Sequence, residues 1–500
     1  MSFPQRRGSK DRLSELPDGV VGHILSFLPT KEAARAAALA RSWRHKFAYV
    51  DAISFGDYSA HYRSFSDDYT FRLESVERRS TNAELLDDVN GALLCRRRCS
   101  GDRNVAPRAF RLHFGCYHYW DEPMVSQWLS HLLRRSGPEL HLDLRFQLTV
   151  MGEHHVGGPD QQGGASSSEE DNRCPVRYSS YKAYADPFTL PASLFSCASL
   201  RTLCLGSCHL DPPEIIRLPL LETLVLSSIS ECGRNYGIQR LISCCPRLVD
   251  LTLEMCGTSS ITVLDKCLRR FALRCCHYLL SVTIDASGLK EFEYRGVVPA
   301  ESVVTLHGAL KTSSCRIGFC GKKVRDGDFP RFTMFLEQFT ATRHLHLVST
   351  HLGADIESES FMGFPSFPRL EKLELTGYLH QGSIEAVTRI LEQAPHIEFL
   401  SLFMKPSKDD VWVHPGKLSD ELVVPDVSIP CLWKRVREIN LVHYQGHEAQ
   451  RCMAKLLLCN ARVLERVCVV FSRGPRELQR RLRKEIGELV VHRSAEMIFL

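Results

Sequence analysis

The chain lacks the features that would send it to a membrane, into a disulfide framework or into a familiar catalytic class. No run of about 18 apolar residues occurs, so no membrane span is expected. The opening residues, MSFPQRRGSKDR, are polar and basic and have no apolar stretch of the secretory kind. Excess charge is also scarce. Lys and Arg number 63 against 58 Asp and Glu, and +5 spread over 500 residues is too dilute to predict a nucleic-acid partner. Among 20 cysteines there is no C-x-x-C pair. Several are adjacent (Cys244-Cys245, Cys275-Cys276) or sit in apolar runs, so buried free thiols are expected rather than bridges. His113-Phe-Gly-Cys116-Tyr-His118 comes nearest to a ligand set, but it has no second half and alternates like a strand. No metal is expected, and none at His154-His155. P-loop, G-x-S-x-G, H-E-x-x-H and kinase signatures are missing too, which predicts no cofactor and no enzyme.

What is present begins with residues 11–55. Asp18 is placed to cap a helix in which Val20, Val21, Ile24, Leu25 and Leu28 share a face. Pro29 stops that helix, and Thr30 is placed to cap an Ala-rich second one. Leu39, Trp43 and Phe47 supply a third apolar set at spacing four. Three such short helices have too little apolar surface to stand alone, so they must lean on the rest of the chain or on a partner.

Residues 1–10 are expected to be a disordered tail and 56–109 a polar, helical connection, with a helix over Glu84–Arg97. Alternation predicts a strand at Phe110–Phe114, helical spacing predicts a helix at Glu122–Arg135, and alternation resumes at Leu140–Phe146. Residues 152–172, GEHHVGGPDQQGGASSSEEDN, offer almost no large apolar groups and are expected to be a disordered insertion.

A repeat then emerges. Leu200-Arg-Thr-Leu203-Cys-Leu205 returns as Leu221-Glu-Thr-Leu224-Val-Leu226, Leu248-Val-Asp-Leu251-Thr-Leu253 and Leu268-Arg-Arg-Phe271-Ala-Leu273. Compressed units follow at Leu279–Ile284 and Leu289–Tyr294, and later ones at Leu345/Leu347, Leu370–Leu375, Ile397–Leu402 and Val436–Leu441. An L-x-x-L-x-L unit every 20 to 28 residues is the leucine-rich-repeat signature. Each unit is a strand plus a return segment, and its leucines are buried only when neighbours stack. The fold class expected is therefore α/β: three N-terminal helices followed by an irregular leucine-rich-repeat solenoid over 110–445. Residues 446–500 form a cap, in which Leu478, Leu482, Ile486 and Leu489 line one side of a helix and Arg480, Arg481, Arg483 and Lys484 its solvated face. In an L-x-L strand the residues flanking the leucines point to the opposite, concave side. That places Arg270, Arg274, Glu291, Glu293, His346, Glu374, Phe399 and Phe403 on a candidate target-binding face whose mixed charge and exposed Phe suit a protein segment.

Leu16-Pro17, Ile24-Leu25, Phe27-Leu28-Pro29, Ala33-Ala34 and Ser42-Trp43-Arg44 together resemble the F-box motif, in its plant version, over roughly 40 residues. The irregular repeats resemble those of plant F-box proteins, and residues 446–500 resemble their FBD-type C-terminal region. The resemblance implies docking on Skp1 through Leu16, Pro17, Val20, Ile24, Leu25, Leu28, Pro29, Leu39 and Trp43. Through Skp1 it implies a cullin–RING ubiquitin ligase, in which this chain would be the substrate-recognition adaptor of an SCF-type assembly in the cytoplasm or nucleus. The alternative is a leucine-rich-repeat binding module acting outside a ligase.

Overall fold

The computed structural model describes residues 15–39, 41–56, 81–100, 106–117, 119–148, 187–229, 236–266, 268–301, 303–308, 312–319, 329–351, 364–379, 381–405, 429–492 and 494–500. The tail expected at 1–10 and the insertion expected at 152–172 lie outside them. The described residues up to 258 belong to one compact unit and those from 259 to a second.

Unit one opens with α1 (Asp18–Leu25), α2 (Thr30–Leu39) and a 3-10 helix at Arg41–Tyr49. The third apolar set therefore winds tighter than an α-helix. Asp18 is the first residue of α1 and not its cap, since Pro17 holds the cap position without a side-chain bond. Val21, Leu25, Ala33, Ala37, Phe47 and Ala48 fill the small core among these helices. Gly22 permits their closest approach, because a Cβ there would run into the Tyr49 carbonyl.

The helices do not float. Thr30 opens α2, and its Oγ1 accepts the Ser54 amide at 2.7 Å. Ser26 Oγ accepts the Asp51 amide at 2.8 Å. Both amides lie at β1 (Ala52–Phe55), a strand at the end of the stretch 11–55 that was expected to hold three helices. Helix α3 (Thr81–Ser100) brings Arg96, which donates to the Val50 and Phe47 carbonyls at 2.5 and 3.4 Å. Arg96 is 5% exposed, and burial pushes its guanidinium down to about 10. It is held there because two carbonyls at the end of the 3-10 helix need a donor.

From β1 the sheet grows by parallel pairing through β2 (Ala109–Tyr117), β3 (Leu140–Leu148), β5 (Leu200–Gly206), β7 (Thr223–Ser227) and β8 (Asp250–Glu254). The short β4 (Phe188–Thr189) and β6 (Cys208–His209) pair separately. Register aligns Phe55, Leu112, Leu144, Leu205, Leu226 and Leu253 in one buried row. Helix α4 (Glu122–Arg134) packs beside α3, with Trp128 Nε1 donating to Asn90 Oδ1 at 2.8 Å. Helix α5 (Gly237–Ser243) buries Ile238, Leu241 and Ile242. Ser207, Ser228 and Met255, each at the end of a strand, take left-handed φ near +50°. The first two donate their amides to the next strand, at Ser227 and Glu254.

Unit two continues the design with a change of return segment. Its main sheet runs β10 (Arg270–Arg274), β12 (Glu291–Gly296), β14 (Ser314–Phe319), β15 (His344–His351), β16 (Lys372–Tyr378), β17 (Phe399–Met404), β18 (Glu438–Tyr444), β19 (Arg466–Phe471) and β20 (Glu496–Phe499), all parallel. Before β10 and between β10, β12 and β14, the chain runs through β9 (Ser260–Val263), β11 (Ser281–Asp285) and β13 (Val304–His307), which form their own three-stranded sheet. Leu279–Ile284, read as a repeat unit of the main sheet, is therefore a return strand, and β10 pairs directly with β12. Later returns use α6 (Phe329–Glu337), α7 (Gln381–Glu392) and α8 (Pro430–Lys434).

Helices α9 (Glu448–Asn460) and α10 (Arg476–Leu489) close the unit. Leu478, Leu482 and Ile486 are buried, and Arg480, Arg481 and Lys484 are exposed, the division expected of a capping helix. Arg483 lies over the Phe471 and Phe499 rings at 5.5 and 5.6 Å. Arg451 Nε bonds both Glu485 oxygens at 2.8 and 3.0 Å and ties the two helices together.

Candidate functional sites: a docking surface and a sheet face

The helices of residues 15–49 turn two kinds of apolar side chain in different directions. Leu25 is 2% exposed and belongs to the interior, so it is withdrawn from the surface set to which the motif assigned it. Leu16 and Trp43 are half-buried, and Pro17 and Pro29 exposed. Val20, Ile24, Leu28 and Leu39 face solvent, and with them Phe27, which the sequence reading quoted in the motif but left out of the docking set. Phe27 and Leu39 are 77% and 90% exposed. Fully burying a side chain of that size gains about 1.5–3 kcal/mol, so this cluster is costly in water and profitable against a partner. His23 meets the Phe27 ring edge-on at 5.1 Å.

The second surface is the unit-two sheet face opposite the buried leucines. Register sets its side chains in three rows. The first is Arg270, Glu291, Ser314, His344, Lys372, Phe399, Glu438, Arg466 and Glu496. The second is Ala272, Glu293, Arg316, His346, Glu374, Ser401, Asn440, Cys468 and Ile498. The third is Arg274, Arg295, Gly318, Val348, Thr376, Phe403, Val442 and Val470. All eight residues expected on a target face fall in these rows.

Many of them are engaged with one another. Arg270 pairs with Glu291 at 2.7 Å, both about half exposed. Arg274 grips Glu293 through Nε and a terminal nitrogen at 2.9 and 2.6 Å. That carboxyl is held below the ordinary range against its burial, by Arg274 first and then by Arg316 and Arg295. Glu374 is the other hub. His344, Lys372 and His346 lie 3.5, 2.5 and 3.4 Å from it and depress it to about 2, with the His344 contact the largest cause and burial opposing. His346 also bonds Thr376 Oγ1 at 2.8 Å and its ring lies 5.9 Å from that of Phe403. Phe399 is 39% exposed. Arg316, exposed on β14, was not anticipated. Its strand carries Cys315 and Ile317 where the repeat pattern asks for leucines.

Two described thiols are held in the protonated form by burial. Burial pushes Cys204 and Cys208 up to about 12, so both stay protonated at neutral pH. Most other described cysteines are buried and free, while Cys95, Cys244 and Cys459 are exposed. Among the described residues no helix is long and apolar enough to cross a membrane.

A helical unit with an outward apolar cluster, joined to parallel-strand repeats, is the architecture of an F-box followed by leucine-rich repeats. Residues 13–51 match the F-box domain model, and residues 179–306 match the LRR repeats of the FBD-associated F-box protein At5g56370. The chain is thus similar to F-box and leucine-rich-repeat proteins of the plant FBD-associated kind. Its relatives in Arabidopsis thaliana include F-box/LRR-repeat protein At3g59200, 27% identical over 66% of this chain and 54% of that one. Putative F-box/LRR-repeat protein At3g58880 is 30% identical over 49% of this chain and 42% of the relative. The chain thus spans about half the length of several curated relatives it matches. Putative F-box/FBD/LRR-repeat protein At4g00315 is similar throughout, 23% identical over 92% of this chain and 93% of its own length.

Proposed function

We propose that this chain is the substrate-recognition adaptor of an SCF-type ubiquitin ligase. Its F-box docks on a Skp1-like linker, and its repeats hold a target protein near the ubiquitin-charged partner. The observation that carries this reading is the exposed apolar cluster of Val20, Ile24, Phe27, Leu28 and Leu39 on a unit whose own core is already filled. Apolar surface of this kind, on helices too small to fold alone, marks a protein interface. Catalysis by the adaptor is not needed, because holding the target raises its effective concentration at the ligase. The site of action is the cytoplasm or the nucleus.

The experiment is capture of a Skp1-like linker and a cullin by the full chain, compared with the double variant Ile24→Asp/Phe27→Asp. Both side chains are already in water, so thermal unfolding should be unchanged while linker capture is lost. Equal capture by the variant would overturn the docking assignment. Capture of the linker without any cullin would favour a binding module that works outside a ligase.

A further inference from the structure

The unit-two face is not uniform along its length, and the difference points to what it holds. Over β10, β12 and β14 its second and third rows carry Arg274, Arg295 and Arg316 with Glu293 as the one carboxylate, and Ala272 and Gly318 as the small residues. In the first row Arg270 and Glu291 cancel. Arg274 is committed to Glu293, whereas Arg316 is exposed and makes no hydrogen bond or ion pair among the described residues. Beside it Gly318 presents no side chain, and a Cβ there would press on Val348 at 3.3 Å.

Toward β17, β18 and β19 the same row becomes Phe403, Val442 and Val470, each half-buried, and the second row ends in Cys468 and Ile498. Polar neighbours on this side are already occupied. Asn440 bonds Ser401 and Glu438 at 3.2 and 2.9 Å, and Arg466 bridges Glu438 and Glu496, each at 3.2 Å. One end of the face is thus short of negative charge, and the other is short of apolar cover.

We propose that this face takes an extended protein segment laid across the strands, its acidic side chain over Arg316 and its apolar side chains over Phe403 and Val442. The inference rests on the adaptor reading, in which that segment belongs to the target. Spacing makes it specific. Neighbouring strands lie about 4.8 Å apart, so β14 and β17 are separated by about 14 Å; Phe403 also lies one row, about 7 Å, further along its strand, so an extended chain passes from Arg316 to Phe403 in about five residues. Val442, one strand further in the same row, falls about six residues from the acid. A nucleic acid does not fit, because Glu374, Glu438 and Glu496 lie along the same face.

The test is to pan a displayed random decapeptide library on the full chain and to measure the best fluorescein-labelled peptide by anisotropy. The expected enrichment is Asp or Glu with apolar residues about five to six positions away. Arg316→Glu should weaken that peptide about tenfold or more, and replacing the peptide acid with Lys should restore binding to Arg316→Glu alone. Phe403→Ser should weaken it without such rescue. No enrichment, enrichment without this spacing, or an affinity indifferent to Arg316→Glu would each overturn the proposal. Linker capture is measured on the same variants and should stay intact. A failed F-box reading shows there, and a failed face assignment shows in the peptide arm.

Discussion

The two units carry the same kind of face and use it differently. In unit one most of the charges are spent on neighbours, although Arg111 is exposed and makes no hydrogen bond or ion pair among the described residues. Arg145 donates to Asp143 at 2.7 Å, and His141 meets Thr202 at 2.9 Å and Glu139 at 3.1 Å. Arg201 lies 2.6 Å from Glu222 and 3.7 Å from Glu139, and Ser227 donates to Glu254 at 3.3 Å. Cys204, Val225 and Thr252 fill the row between. Unit two pairs many of its charges as well, but leaves Arg316 open, Phe399 exposed and Phe403 only half-buried. A parallel sheet closes its own face when opposite charges sit one strand apart, within reach of a direct bond. Where the rows fall out of balance, the face can bind something else.

That contrast can be broken by substitution. The largest effect is expected at Arg145, whose side chain is 15% exposed against 21% for Asp143. Arg145→Ala strands a largely buried carboxylate, so urea unfolding should show a loss of about 2–3 kcal/mol. Peptide affinity at unit two should not move, and a parallel loss of affinity would erase the distinction between the faces. Next comes Glu374→Gln, which discards the carboxylate that His344, Lys372 and His346 hold at about 2. A carboxylate depressed on folding contributes stability that is complete above its ordinary range and is lost as pH falls toward 2. The variant should therefore be about 2 kcal/mol less stable at pH 7, with the gap to the native protein narrowing below about pH 5. A gap independent of pH would show that packing, not charge, makes Glu374 matter. The smallest effect is expected at Arg270→Ala, where both partners are about half exposed. Its cost should stay within about 0.5 kcal/mol of zero, as solvent-screened pairs do.

The repeats were legible because paired leucines one residue apart have a single physical use in a stacked strand. Leu251 and Leu253, Leu373 and Leu375, and Leu400 and Leu402 are all fully buried. The pattern failed where chemistry varied or where two sheets share one grammar. β14 escaped notice because Cys315 and Ile317 fill the leucine positions, and β1, Ala52–Phe55, is too short to announce itself. Leu279–Ile284 alternates as faithfully as a main-sheet strand because the return sheet also buries one side. Periodicity does not say which sheet a strand joins. The docking surface was partly legible for a similar reason. Ile24 and Leu25 are adjacent in the same apolar stripe, yet one is 42% exposed and the other 2%. Nor could sequence pair the face charges, since Arg274 and Glu293 meet only through strand register.

The bonds from Ser26 and Thr30 to the Asp51 and Ser54 amides, with Arg96 holding the Val50 carbonyl, leave no slack between the docking helices and the first strand. A joint without slack has a narrow spread of reach, unlike a flexible tether, which samples a broad range of distances. Whatever docks on these helices is therefore held at a fixed distance from the first strand of the sheet.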